Sequence, residues 1–319
     1  MAKHVGENLG RGELSYRVEP LSPVLSFGRV VRGLTSADIQ DEKERATLRA
    51  LWIRHGMLVF QDGEINDRFQ IDLSLVFGPL ERHPVREVLV ESNPDLIVLK
   101  SVPGDVNIVE IDGEQGGGWI GWHSDLIYHA HINHGGLLRA LQVTSRGGVT
   151  GFIDQIDAYE RLPQSTKDRI DDLSVVYQLG PIGRFPHAYK SKVRVVRMAP
   201  KNQALMDRAH RDFAPVAHLL VFAQPETGRK VLNLSPLFAL YIEGMRDAEG
   251  DALLADLAGH ILDSPAYHHR WTLDDMVLWD NWRMLHSVSA VPLDETRIVQ
   301  RTTIAGDYAL GRTLSFEAA

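Results

Sequence analysis

The chain has 319 residues, with 34 Lys and Arg against 42 Asp and Glu, a formal net charge of −8, 14 His and no Cys. The missing Cys excludes disulfides, thiolate nucleophiles, Cys-ligated zinc and Cys-bound iron–sulfur clusters, and the acidic balance argues against a general nucleic-acid binder, whose phosphate contacts need a basic face. No apolar run approaches the about 18 residues that span a bilayer, and the opening MAKHVGENLG has no apolar leader stretch. The expectation is therefore a cytoplasmic protein, without nucleic-acid or membrane partners, whose metal-ligating side chains are His, Asp and Glu.

Along the chain, Tyr16 to Leu34 carries short apolar pieces broken by Pro and Gly, as strands would. Thr35 and Ser36 precede a helical stretch with Leu48, Leu51 and Trp52 at i, i+3 and i+4, which Gly56 stops. The run Met57 to Phe60 reads as a buried strand. Asn66 caps a second expected helix through Phe69, Leu73 and Val76, closed by Gly78. From Asp95 onward short β-like runs alternate with turns: LIVL, VNIVEI, LLRALQVT, TGFI, VRVVRM, HLLVFA, KVLNL, DMVLWD and RIVQRTTIAGD. Helical patches interrupt them at Asp157–Leu173 and after Ser235. Many short strands separated by turns predict a mainly β fold with peripheral helices, a double-sheet jelly roll, rather than a parallel sheet. No repeat or linker divides the chain, so residues 1–319 are expected to form a single domain.

Gly116, Gly118 and Gly121 satisfy G-x-G-x-x-G, but the β-like WHSDLIYH follows where a dinucleotide site needs a helix. These glycines read instead as a loop beside a site, with Gly113–Gly118 a candidate lid. His129, His131 and His134 read as structural or solvent-facing, and the adjacent His268 and His269 would point oppositely on a strand. The informative unit is Trp122-His123-Ser124-Asp125, because residues i and i+2 of a strand share a face and can reach a common ion. A third ligand is offered by His286, at the end of WDNWRMLH. Two neutral imidazoles and one carboxylate leave adjacent positions open, as a non-haem Fe(II) oxygenase requires for a bidentate cosubstrate and O2. Taken alone, a His-x-Asp pair reads as a surface polar pair. Arg297 and Arg301 lie four apart in a β-like run, on one face, where a guanidinium fork could grip a carboxylate with help from the Thr150 hydroxyl.

In order and spacing, FGPLERHP, WHSD, GGVTGF, PETGRKVL, WDNWRMLH and RIVQRTTIAGD resemble the taurine/2,4-dichlorophenoxyacetate dioxygenases, which depend on Fe(II) and 2-oxoglutarate. The resemblance runs from about Val18 to Asp307. It implies a double-stranded β-helix (jelly roll, cupin-like) and homo-oligomers, dimers or tetramers. It also implies His123, Asp125 and His286 as iron ligands, and Thr150 with Arg297 as holders of the distal carboxylate of 2-oxoglutarate. His83 and Arg301 match the grip on an anionic substrate head, and Leu126 a pocket wall. Trp119 and Tyr128 are candidate aromatic walls. The implied reaction hydroxylates a small carboxylate or sulfonate, an aryl acid by preference, using O2 and releasing succinate and CO2. C–O or C–S cleavage can follow. Trp119 stands where the taurine enzyme has an Asn that recognises the amine, so taurine itself is not expected. Further departures are Val149 in GGVT, Trp282 and Arg283 in WDNW-R, and Leu219, Phe222 and Gln224 before PETGRK. Desaturation or cyclisation with the same cofactors is an alternative outcome; a non-catalytic metal-binding jelly roll and a metal-dependent hydrolase are alternatives of other classes.

Overall fold

In a computed structural model, residues 15–82, 89–90, 93–181, 185, 187–308 and 310–315 are described. An eight-stranded sheet runs in the order Arg17–Pro20, Arg29–Arg32, Met57–Gln61, Met276–Asp280, Gly135–Gln142, Arg297–Ile304, Asn93–Ser101, Leu89–Val90. A four-stranded sheet has the order Ala266–His269, Thr150–Asp154, Met284–Val288, Ile120–His123. The pairing of Arg29–Arg32 with Met57–Gln61 is parallel, whereas the strands bearing the candidate residues pair antiparallel.

Side-chain alternation explains how the two sheets stack. Val59, Leu138, Val277 and Val299 of the large sheet meet Phe152 and Met284 of the small one in a shared apolar layer. Their neighbours Leu58, Phe60, Leu137, Met276 and Leu278 point the other way, under Leu48, Leu51, Trp52, Phe69 and Leu73 of the helices Glu42–His55 and Asp67–Phe77. Met276–Asp280 is consequently buried at every position, which is why DMVLWD reads as a continuous apolar run. The outer side of the small sheet packs on the helices Gln155–Glu160 and Ala248–Leu262, and on Val175 and Tyr177 of a further four-stranded sheet.

Several boundaries differ from expectation for local reasons. The first helix begins at Glu42, capped by Asp41, whose carboxylate accepts from the Lys43 N–H. Thr35 instead opens a 3-10 turn, its N–H and hydroxyl both donating to Asp38. Gly56, at φ 74°, ends that helix, and Asn66 caps the next one by accepting from the Phe69 N–H, both as expected. The helical patch 157–173 divides into Gln155–Glu160 and Gln164–Ile170, with Pro163 at the second N-terminus. After Ser235 come a 3-10 turn and the strand Ala239–Ile242, and the helix starts only at Ala248. A helix at Pro200–Asp212 was not anticipated: few of its residues are apolar, leaving Pro200 in the first turn as its signal. The glycines of 113–118 are not an open loop. Ile108–Ile111 and Glu114–Gly117 form a hairpin around Asp112-Gly113, both with positive φ, and Gly117 exchanges backbone hydrogen bonds with Val291.

One buried ion pair joins these layers. Arg283 donates from Nε and Nη2 to the two Asp154 oxygens, at 2.9 and 2.6 Å, and from Nη1 to the carbonyls of Ile53 and Arg54. Both side chains are fully buried. Asp154→Ala would strand the guanidinium, a loss of about 3–5 kcal/mol; urea denaturation measures it, and a change below about 1 kcal/mol would contradict the pairing's importance.

Candidate active site

His123 ends the strand Ile120–His123, and His286 lies directly opposite on Met284–Val288. The imidazole centroids are 4.2 Å apart. Asp125 was expected on the same strand face as His123, but the strand has already ended. Its carboxylate arrives by a chain reversal that puts Leu126 at φ 55°. Asn281 holds that reversal: its Oδ1 accepts from the Asp125 N–H at 2.8 Å, and its Nδ2 donates to the carbonyls of Asp125 and Asn133. Sequence reasoning passed over Asn281, although it sits inside WDNW. Asp125 Oδ1 ends 3.7 Å from Nε2 of each histidine. One ligand atom from each of the three residues lies within 4.8 Å of the others, the only such group found among the described residues.

This donor set fits a divalent metal. The Gly121 carbonyl accepts from His123 Nδ1 at 2.8 Å, which leaves Nε2 as the lone-pair nitrogen turned toward Asp125. Burial holds both imidazoles below their ordinary range, His286 at about 3 with further depression from His123. They are therefore neutral, the form that ligates.

A cavity of about 700 Å³ opens over the triad and is also lined by Thr150, Arg297, Arg301 and Trp119. Arg297 and Arg301 enter it together, as their spacing on one strand requires. Both are buried. Desolvation lowers the Arg297 guanidinium to about 10, still cationic at neutral pH, and its Nη2 has no hydrogen-bond partner. Arg301 Nη1 lies 2.8 Å from Asp125 Oδ2 and its guanidinium sits 5.1 Å over the Trp279 ring, while its Nε and Nη2 have no hydrogen-bond partner. Buried donors of this kind are costly unless a ligand satisfies them. Thr150 begins the strand opposite His269 and accepts from Trp271 Nε1 at 2.8 Å.

Other expected residues lie elsewhere. Leu126 and Tyr128 pack with Leu179 and Ala209 in a separate apolar cluster and do not line the cavity, because the reversal after Asp125 turns them away. His83 lies outside the described residues. His134 stacks on Trp282 at 3.8 Å, and His129 meets Phe213 edge to face, both structural placements. Two of the departures, Trp282 in WDNW-R and Gln224 before PETGRK, have structural placements as well: Trp282 donates to the Ile132 carbonyl, and Gln224 donates to Asp280.

The sequence matches the family described as taurine catabolism dioxygenase TauD, TfdA family, over residues 17–303. The chain belongs to the TauD/TfdA family. It is accordingly a non-haem iron oxidoreductase that uses Fe(II), 2-oxoglutarate and O2. Among curated relatives, the (S)-phenoxypropionate/alpha-ketoglutarate-dioxygenase of Sphingobium herbicidovorans is 32% identical over 296 residues, covering 92% of this chain and 96% of that protein. The alpha-ketoglutarate-dependent 2,4-dichlorophenoxyacetate dioxygenase of Cupriavidus pinatubonensis is 26% identical over 305 residues, covering 92% and 99%. Among solved structures, AAD-2 in complex with Mn(II) and N-oxalylglycine superposes with a TM-score of 0.68 at 26% identity, covering 93% of this chain and 100% of that one.

Asp280, beside the Asn281 clamp, carries a pH dependence. It is fully buried, and burial pushes its carboxyl up to about 7 against the opposing charge of Arg283. Glu226 and Asp154 push the same way as burial, and His134 Nε2 lies 3.9 Å from Oδ1. A carboxyl whose folded value exceeds its unfolded value keeps its proton longer in the folded state. Its contribution is fully favourable below about 4, is lost as pH rises and levels off above about 7. Asp280→Asn should therefore gain on the parent protein by about 2–3 kcal/mol between pH 5 and pH 8. Parallel denaturation curves at the two pH values check this; a constant difference between the proteins would contradict it.

Proposed function

We propose that this protein hydroxylates a monoanionic aryloxyalkanoate at the C–H beside its ether oxygen. The observation that carries the reading is the entry of two buried guanidiniums, each with unused donors, into the cavity that holds the His123–Asp125–His286 triad. His123, Asp125 and His286 hold Fe(II). Arg297 and Thr150 take the distal carboxylate of 2-oxoglutarate, and Arg301 takes the carboxylate of the substrate, with Trp119, Ile120 and Leu205 against its apolar body. The stacked antiparallel sheets that carry these residues support a jelly-roll reading of the fold.

When bound, Fe(II) and 2-oxoglutarate supply the oxidation that turns the C–H into C–OH, one O2 oxygen entering the substrate and the other the succinate formed with CO2. The protein's own work is placement. Arg301 fixes the acid end, so the adjacent carbon is presented to the open side of the triad. The buried histidines stay unprotonated, and Asn281 keeps Asp125 turned inward. The hydroxylated carbon carries an aryl ether, and this hemiketal expels the phenol as its hydroxyl proton passes to the departing oxygen. From a 2-phenoxypropionate the other product is pyruvate. The names of the relatives support this class, since they act on phenoxypropionate and 2,4-dichlorophenoxyacetate.

Substrate-dependent O2 uptake with (S)-2-phenoxypropionate, 2,4-dichlorophenoxyacetate and an alkyl sulfate tests the substrate class. Phenol release from an aryloxyalkanoate is expected, with Arg301→Gln raising its KM about 10–100-fold. Turnover confined to the alkyl sulfate would overturn the assignment. Arg297→Ala should weaken 2-oxoglutarate binding by a similar factor, about 10–100-fold, in calorimetric titration of the Mn(II)-loaded protein. An unaltered Kd would remove Arg297 from that role.

A further inference from the structure

We propose that Trp271 is a positioning residue for 2-oxoglutarate: its indole N–H occupies an acceptor position of the Thr150 hydroxyl and leaves that hydroxyl's proton for the cosubstrate's distal carboxylate. The inference rests on the reading of Thr150 and Arg297 given above, and adds a residue that does not itself touch the carboxylate.

An indole nitrogen only donates, a hydroxyl has one proton and two acceptor positions, and an ionised carboxylate only accepts. Trp271 Nε1 donates to Thr150 Oγ1 at 2.8 Å. Thr150 is buried and lines the 700 Å³ cavity. Its hydroxyl, already accepting from the indole, has its proton left to give. A threonine without that donor could orient either way and would meet an incoming carboxylate with its lone pairs in part of its population.

The indole is itself held in place. It meets His269 edge to face with centroids 4.5 Å apart, and His269 is the register partner of Thr150 on the neighbouring strand. His269 Nε2 lies 3.4 Å from Asp275 Oδ2, and its Nδ1 hydrogen-bonds the Tyr267 hydroxyl at 3.1 Å. Asp275 in turn accepts from Gln61 and from the Thr272 N–H. Trp271 and Arg297 also share the wall of a smaller cavity of about 160 Å³, so the indole stands on the guanidinium's side of the pocket. A run of side chains from the large sheet's Gln61 to Thr150 thus ends on one hydroxyl.

The test is calorimetric titration of Mn(II)-loaded protein with 2-oxoglutarate in Trp271→Phe, Thr150→Val and the double variant. A second form, with benzothienylalanine in place of Trp271, keeps the ring shape and deletes only the N–H. Trp271→Phe and the benzothienyl form should both raise the Kd about 3–10-fold, with the Mn(II) affinity and thermal midpoint unchanged. Thr150→Val should raise it at least as much, and the double variant no further than Thr150→Val. A parental Kd in the benzothienyl form, beside a weakened Thr150→Val, overturns the positioning role alone. Multiplying effects in the double variant overturn it in favour of packing. A parental Kd in Thr150→Val removes the reading of Thr150, and the role of Trp271 with it.

Discussion

The turn from Asp280 to Arg283 is the constraint on which the rest of the molecule depends. It connects Met276–Asp280 in the large sheet to Met284–Val288 in the small one, so it fixes how the two sheets meet. Each of its four side chains is committed to a different neighbour: Asp280 to Gln224, Asn281 to Asp125, Trp282 to His134, Arg283 to Asp154. The bond from Asn281 matters most chemically. Asp125 reaches the histidines from a backbone reversal rather than from a regular strand, and a reversal has no ladder of its own to hold it. Asn281 supplies both an acceptor and a donor to that reversal, so the carboxylate is positioned by the same turn that delivers His286.

The site is also where the protein accepts unfavourable electrostatics. Arg297 and Arg301 are buried with donors left open, a condition that costs stability wherever it is not relieved. Arg283, by contrast, is buried with all three of its nitrogens engaged. Arg139, on the same large sheet as Arg297 and Arg301, is also buried with its Nε unpaired, but it is tied to Asp67, so what sets Arg297 and Arg301 apart is open donors combined with entry into the cavity. That placement supports the proposed ligand role of Arg297 and Arg301 without reference to any relative.

Much of this was legible in the sequence. The His-x-Asp pair, the distant histidine and the Arg-x-x-x-Arg face depend on residue type and on strand period, which sequence carries directly. The cap at Asn66 and the stop at Gly56 are local chemistry and were equally readable. What sequence reasoning lost was tertiary. Leu126 was expected in the pocket from the family resemblance, yet with its positive φ it packs into an apolar cluster with Leu179 and Ala209. Gly113–Gly118 looked like a loop because glycine is permissive, while Asp112-Gly113, a strong hairpin signal, went unused. Trp271 carried no motif at all; its bond to Thr150 exists only because the strands Thr150–Asp154 and Ala266–His269 pair in one register.

Formal charge then narrows what the cavity suits. Arg297, Arg301, Lys100 and Lys201 line the cavity against two carboxylate side chains, Asp105 and Asp125, so basic groups outnumber acidic ones around the triad. On the proposed reading that lining attracts an anion, and the burial of Arg297 and Arg301 strengthens the attraction. The apolar walls contributed by Trp119, Ile120 and Leu205 favour a hydrocarbon body behind the anionic head. On the proposed reading, charge and wall chemistry suit the same ligand, an apolar acid, with Arg301, lying beside Asp125, at its anionic head.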